Sequence, residues 1–426
     1  MRTLVVLLLL ALPLAAQSID DRVSKELPRL VETFKALHTA PELSTQEAKS
    51  SALVASRLRE FGYEVTERVG KYTDTDATCY GVVAVMKNGK GPTLMIRSDM
   101  DALPVEEQTG LAYASANKGV MHACGHDIHM TTLIGTAQVL AGMRDKWHGT
   151  LVLIGQPAEE VVKGAEAMLR DGLYERFPRP DFVIAVHDNA SLAAGTIGYT
   201  PGYLMAAADS INLTIRGMGG HGASPEKTKD PVVMASEVVL ALQTLVSREN
   251  SPLDPVVITV GSIHGGTKRN IIPDQVQLLL TVRTYKPEVR KRVLDGIQRV
   301  AKGVAVTNGL PDDRMPVFEH LKGESIGATY NDPALTDRIV AAVSKEIGPA
   351  NVIKIDPLMV SEDFSLYSLD HKIPAVMLNL GAVDPARVAS GEALPSLHSS
   401  KFVAVPEGTI RAGVRAVVAS AVDLLR

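Results

Sequence analysis

Aromatic side chains are scarce: phenylalanine, tryptophan and tyrosine together make up 4% of the 426 residues, with a single tryptophan. Surfaces that stack single-stranded nucleic acid are built from such rings, so that class is disfavoured. Charge of one sign is lacking too. Against 44 basic residues stand 48 acidic ones, net −4, which leaves no basic footprint for a polyanion. Two cysteines are too few for a disulfide-stapled scaffold. Beyond the first dozen residues no apolar run reaches the roughly 20 residues needed to cross a bilayer. What remains is a chain with 46% apolar residues, long enough for two or three domains with real cores.

The first residues follow a different grammar. Arg2 precedes an apolar run over residues 4–12, and the small residues Ala15 and Ala16 follow. A basic start, a short apolar stretch and a small-residue cleavage context describe a secretory signal peptide covering residues 1–17. The expectation is a secreted or periplasmic protein with no membrane attachment once the signal is removed.

Residues 121–130 read M-H-A-C-G-H-D-I-H-M. Soft sulfur and borderline imidazole two residues apart suit zinc, manganese, cobalt or nickel, and Gly125 between Cys124 and His126 lets the backbone bend so that both aim at one point. The spacing matches no zinc finger, so other segments must supply the remaining ligands. Cys124 is accordingly read as a ligand and Cys79 as a small buried residue, without a disulfide between them.

Three apolar runs, at 93–96, 150–154 and 182–186, each lead into polar residues: R-S-D-M-D (97–101), G-Q-P-A-E-E (155–160) and H-D (187–188). Near-continuous apolar runs indicate strands covered on both faces, as in a mainly parallel sheet with helices between. Open α/β sheets place their sites at the carboxyl ends of such strands. Helices are expected at 20–38, 128–143 and 164–172. A Ser44–Glu47 capping box should open another, running to residue 61. K-N-G-K-G-P (87–92) reads as a hairpin turn. Between about 198 and 328 the pattern changes to strand 210–216, helix 231–247, strands 256–263 and 275–284, and helix 287–307. That order suggests a ferredoxin-like α+β insert.

Glu159 and Glu160, if extended, point to opposite sides, so one can bind metal while the other faces substrate. Asp99 and Asp101, spaced by two, face one side and can orient ligand imidazoles. His187 ends the third strand, and His398 lies ahead of a closing helix.

The motifs S-D-M-D-A-L-P-V (98–105), M-H-A-C-G-H-D-x-H (121–129), Q-P-A-E-E (156–160), G-G-H-x-A-S-P (219–225), G-G-T-x-x-N-x-I-P-D (265–274), V-R-T (282–284), S-E-D-F (361–364) and L-H (397–398) occur in order. Together they resemble the metal-dependent amidohydrolases that include hippurate hydrolase, auxin-conjugate hydrolases and N-acyl-amino-acid deacylases, with aminoacylases and zinc carboxypeptidases as more distant kin. The resemblance implies a parallel-sheet catalytic domain (18–197 and 329–426) with an inserted ferredoxin-like lid and dimerisation domain (198–328). It implies two divalent metal ions held by Cys124, His126, Glu160, His187 and His398, with Glu159 as general base. It also implies a homodimer through the lid, with His221 supplied to the neighbouring subunit's site. Asn270 and Arg283 fall at lid positions suited to the substrate carbonyl or carboxylate. The implied reaction is hydrolysis of the amide of N-acyl or N-aroyl amino acids, the alternative being a metallo-carboxypeptidase or dipeptidase. Three places depart from the pattern and bear on substrate preference: Cys79-Tyr80-Gly81, Asp188-Asn-Ala-Ser191 and Glu226. Two rival readings are a cysteine hydrolase, with Cys124 as nucleophile and His126 or His122 as base, and a non-catalytic metal-binding protein.

Overall fold

The computed structural model describes residues 17–426, so the expected signal segment lies, but for Gln17, outside the described residues. Two helices, α1 (Ile19–Thr39) and α2 (Ala48–Glu60), lead into β1 (Glu64–Glu67), β2 (Val82–Asn88) and β3 (Thr93–Asp99). Helix α3 (His126–Ala141) precedes β4 (Gly149–Gln156). The short helices α4 (Gly164–Arg170) and α5 (Leu173–Arg176) precede β5 (Phe182–Ala193) and β6 (Ile197–Tyr199). A smaller unit follows: β7 (Gly202–Met205), β8 (Ala207–Arg216), β9 (Gly220–His221), α6 (Pro231–Ser247), β10 (Val256–Gly265), β11 (Ile271–Ile272), β12 (Gln275–Thr284), α7 (Pro287–Thr307) and β13 (Val317–His320). The chain then returns through β14 (Thr329–Asn331), α8 (Pro333–Ile347), β15 (Val352–Lys354), β16 (Ala375–Val383), α9 (Pro385–Ser390) and α10 (Pro406–Leu424).

Eight strands form one sheet in the order β1-β2-β4-β3-β5-β16-β6-β15, with β4, β3, β5 and β16 parallel at its centre. The apolar runs alternate between its two faces. Leu94 and Ile96 of β3, Leu151 and Leu153 of β4 and Ile184 and Val186 of β5 join the core under α1, α3 and α10. Met95, Val152, Ile154, Val183 and Ala185 join the opposite core with α4 and Phe364. Both faces are dry, which is why these strands read as unbroken apolar runs.

The smaller unit carries a four-stranded antiparallel sheet, β10-β12-β8-β13. Numbered within the unit that order is 2-3-1-4, the ferredoxin-like arrangement, and it packs on α6 and α7 over a core of its own. Strands β9 and β11 form a separate two-stranded ribbon.

Two local expectations fail. Residues 87–92 do not close a hairpin: β4 lies between β2 and β3 and pairs with both. The turn chemistry is right, but the link it makes, residues 89–92, spans one intervening strand. Ser44 and Glu47 do not cap α2 as a box, since Glu47 sits at the N-cap with no side-chain bond to the helix. Their oxygens are used elsewhere, as shown below, and the capping box that does form is Ser18 with Asp21 at α1.

Candidate active site

The carboxyl ends of β3 and β4, the middle of β5 and the start of α3 converge on one cavity of about 440 Å³, lined among others by Cys124, Glu159, Glu160, His187, Arg283 and His398. At its floor Gly125 takes φ 84 at the N-cap of α3, the left-handed bend that lets Cys124 and His126 face the same space. A Cβ there would sit 2.3 Å from Asp188 Oδ2.

The Glu159–Glu160 pair is not extended. It lies in a turn with Ala158 at φ 52 and Val162 at φ 56, so both carboxylates reach the same imidazole. Glu159 Oε2 and Glu160 Oε1 each lie 3.8 Å from His126 Nε2. Asp101 holds this turn: its carboxylate accepts the N–H of Glu159 at 3.1 Å and of Glu160 at 3.0 Å, and the Ser44 hydroxyl at 2.6 Å. Glu47 Oε1 accepts the Ala158 N–H at 2.9 Å. The Ser44–Glu47 segment thus clamps the site rather than capping a helix.

His187 does not end its strand either, because β5 runs on to Ala193 along β16. Its Nδ1 lies 2.9 Å from the Asp188 carbonyl, which leaves Nε2 facing Cys124 Sγ at 3.7 Å. His398 takes φ 64 and ties its N–H to the Ala123 carbonyl at 2.8 Å. Its Nε2 then lies 3.3 Å from Cys124 Sγ and 3.6 Å from Glu160 Oε2. Donor atoms of Cys124, His126 and His187 lie within 4.8 Å of one another, as do those of Cys124, Glu160 and His398, so the two groups share the thiol. The imidazoles against Cys124 are therefore His187 and His398, not the His126 or His122 of the cysteine-hydrolase reading.

The field in this cavity is negative. Burial, with Glu160 and Glu159 nearby, pushes the Cys124 thiol well above its usual range, which disfavours a free thiolate nucleophile. Burial and the neighbouring Glu362 and Glu160 raise Glu159 well above an ordinary carboxyl. Glu160 rises to about 7, chiefly by burial and against the pull of His126. Burial alone would lower His126, yet Asp99, Asp101 and Glu160 carry it up to about 10. Both ring nitrogens of His126 and Glu160 Oε1 are buried without a hydrogen-bond partner among the described residues. Orphaned donors with one thiol, three imidazoles and a carboxylate fit divalent cations of the zinc, manganese, cobalt and nickel kind.

Behind the donors Asp99 stands where it was expected, against imidazoles, but in a network whose other members, Arg97, Glu362 and Asp363, sequence reasoning missed. Asp99 Oδ1 takes His129 Nδ1 at 2.6 Å, and His129 Nε2 accepts the Asp188 N–H at 2.8 Å, which sets that imidazole's tautomer. The other Asp99 oxygen, at 3.7 Å from His126, also takes Arg97 at 2.6 Å. Arg97 is fully buried and further holds Glu362 at 2.8 Å and Asp363 at 3.0 Å. Glu159, Glu362 and Asp363 have oxygens within 4.8 Å of one another. The S-E-D-F motif was the available signal, though no spacing tied it to Arg97. His38 is buried, its Nδ1 2.6 Å from Asp127 Oδ2.

Of the lid residues, Arg283 reaches the cavity and donates to Ser361 Oγ at 2.8 Å. His221 and Asn270 do not line it. They lie exposed on the β9–β11 ribbon, where the Gly222 N–H meets the Asn270 carbonyl at 2.9 Å. Cys79 is buried and unpaired, as expected.

A model of peptidase family M20/M25/M40 matches residues 95–420. The chain belongs to that family. It is 39% identical over 334 residues to the hippurate hydrolase of Campylobacter jejuni, covering 78% of this chain and 82% of that protein. It is 34% identical over 390 residues to thermostable carboxypeptidase 1 of Saccharolobus solfataricus, covering 91% and 93%. Among solved structures it superposes with a TM-score of 0.75 on the Bacillus subtilis YXEP protein, described as a dinuclear metal-binding peptidase of the M20 family. Identity there is 29%, over 94% of this chain and 99% of that one. This M20 protein is thus a metal-dependent hydrolase of the amidohydrolase and peptidase kind, with a mainly parallel catalytic sheet and an antiparallel lid.

Proposed function

We propose that the protein hydrolyses the amide bond of N-acyl or N-aroyl amino acids with two divalent cations held by Cys124, His126, Glu160, His187 and His398. The observation that carries this reading is the convergence of those five donors around Cys124, beside a further carboxylate, Glu159, that lines the same cavity and lies 3.8 Å from His126 Nε2. Cations in such a site supply Lewis acidity, lowering the pKa of water and polarising a carbonyl. Glu159 accepts the proton of the attacking water at its carboxylate and returns it to the departing amine, a task its raised affinity for protons suits. Arg283 offers a fork of donors to the substrate's free α-carboxylate. Asp99 and Asp101 hold His126 and the Glu-Glu turn in place.

His221 serves the neighbouring subunit's site as an oxyanion donor, with Asn270 beside it, in a homodimer built through the lid. Support comes from the exposed position of both residues outside their own cavity. Strand β10 is also an open sheet edge bearing exposed Val257 and Ile263. The relative named carboxypeptidase favours short peptides as a second substrate class, since they present the same amide and carboxylate. The protein is exported, on the strength of residues 1–17. Its recovery from a periplasmic or culture fraction, shortened at the N-terminus, checks this; a full-length cytosolic product overturns it.

The deciding experiment compares hippurate, N-acetyl amino acids and dipeptides with added manganese, cobalt, nickel or zinc. Glu159→Gln should lose about 10²–10⁴-fold in turnover while its metal content stays that of the wild type. Unchanged turnover removes Glu159 as the base.

A further inference from the structure

A second cavity, of about 650 Å³, lies against the first and shares His187, Met205, Val360 and Leu397 with it. We propose that this second cavity is the acyl subsite and that it selects substrates with a large, uncharged, apolar acyl group. This rests on the amidohydrolase reading above and names the substrate class within it.

Three observations converge. The two cavities meet at the metal-ligand candidate His187, where the scissile amide must lie, so a substrate held there extends into both. Their charges differ: the first offers Arg283 beside Glu159 and Glu160, while the second has no lysine or arginine among the described residues of its lining and carries the acids Asp188, Asp356 and Glu392. A substrate with one carboxylate is thereby oriented, its charged end toward Arg283 and its neutral end toward the second cavity. Finally, the lining is apolar and only partly covered. Leu192 and Leu394 face this space half-buried and join none of the three apolar cores among the described residues. Val360, at the junction, is 54% exposed. Leu192 and Ile355 converge over Gly198, where a Cβ would stand 2.8 Å from one and 3.2 Å from the other, so the wall has no slack on that side. The departing segment 188–191 also lines this cavity, placing it where a preference peculiar to this chain would arise. A space of this size takes a medium-chain or aromatic acyl group rather than acetyl alone.

The test is a series of N-acyl glycines, from acetyl through butanoyl and hexanoyl to octanoyl, with benzoyl and the anionic succinyl added. We expect kcat/KM to climb about threefold to fourfold per methylene and succinyl to fall below butanoyl. Leu192→Trp and Leu394→Trp, which fill the cavity, should flatten the climb, with melting temperatures checking the fold. Calorimetric titration of octanoyl-glycine into Glu159→Gln gives the same comparison without turnover. A flat or falling series in an enzyme that does cleave acetyl-glycine overturns the subsite and leaves the amidohydrolase reading standing. Cleavage of dipeptides with no N-acyl glycine hydrolysed overturns both.

Discussion

Replacing Arg97 by methionine tests the buried network behind the site. The guanidinium donates to Asp99 at 2.6 Å, Glu362 at 2.8 Å, Gln156 at 2.9 Å and Asp363 at 3.0 Å, and none of the three acid side chains is more than 1% exposed. Methionine keeps the aliphatic stem and deletes the cation, leaving carboxylates buried without their counter-charge. Breaking such a network on one side costs about 3–5 kcal/mol. With an unfolding entropy of ~2.1 cal/mol/K per residue, a chain of ~400 residues carries ~0.85 kcal/mol/K, so the midpoint should fall by about 4–6 °C. The deficit depends on pH. Without Arg97 the acids escape the penalty only by holding protons, and Asp363 is the nearest to doing so, since burial carries it up to about 8 even against the pull of Arg97. Carboxyls in the unfolded chain titrate near 4, so above that pH the folded variant binds more protons than its unfolded form. Asp363 of the wild type holds the same proton up to about pH 8, so the variant's stability falls relative to the wild type above that pH, where the wild type ionises and the variant does not, by about 1.4 kcal/mol per unit for each extra proton held. Differential scanning calorimetry at pH 7 and pH 9, in chelator so that no cation substitutes for the arginine, reads both effects. Arg299→Ala, at an exposed pair with Glu249, should leave the midpoint unmoved. A methionine variant that melts with the wild type at both pH values, or whose deficit grows toward acid, refutes the reasoning.

Gly125→Ala should destabilise the protein and reduce bound metal. The left-handed φ alone costs about 1–2 kcal/mol for a side chain, and the new Cβ would displace the buried Asp188 carboxylate. Wild-type melting and metal content in that variant would show that the bend is not needed. If His221 serves the partner's site, Glu159→Gln and His221→Ala proteins, each nearly inactive, should regain about a quarter of wild-type turnover when mixed and allowed to exchange subunits. No recovery in verified mixed dimers would place His221 outside the partner's chemistry.

How much of this was legible in the sequence follows from the range of the interactions involved. Helices α6 and α7 and strand β12 occur at the expected residues, because their signals are local. Each helix has proline at its first position and a regular apolar face, and the strand alternates but for the exposed Leu279. The cluster at 121–130 was legible for the same reason: its ligands sit two residues apart. Expectations failed where a distant segment decides what a local pattern does. A turn at 87–92 cannot disclose that β4 will enter between its two strands. Ser44 and Glu47 have the spacing of a cap, yet they bind Asp101 and Ala158 instead. An extended Glu159–Glu160 pair is the default of a segment leaving a strand, and the observed turn exists because Asp101 accepts both amides. The arginine that gathers Asp99, Glu362 and Asp363 meets the last two across more than 260 residues of chain, a pairing no periodicity encodes. The same logic bears on the acyl subsite: its walls come from 188–192, 355–360 and 392–397, so no single segment announces a specificity that only their meeting creates.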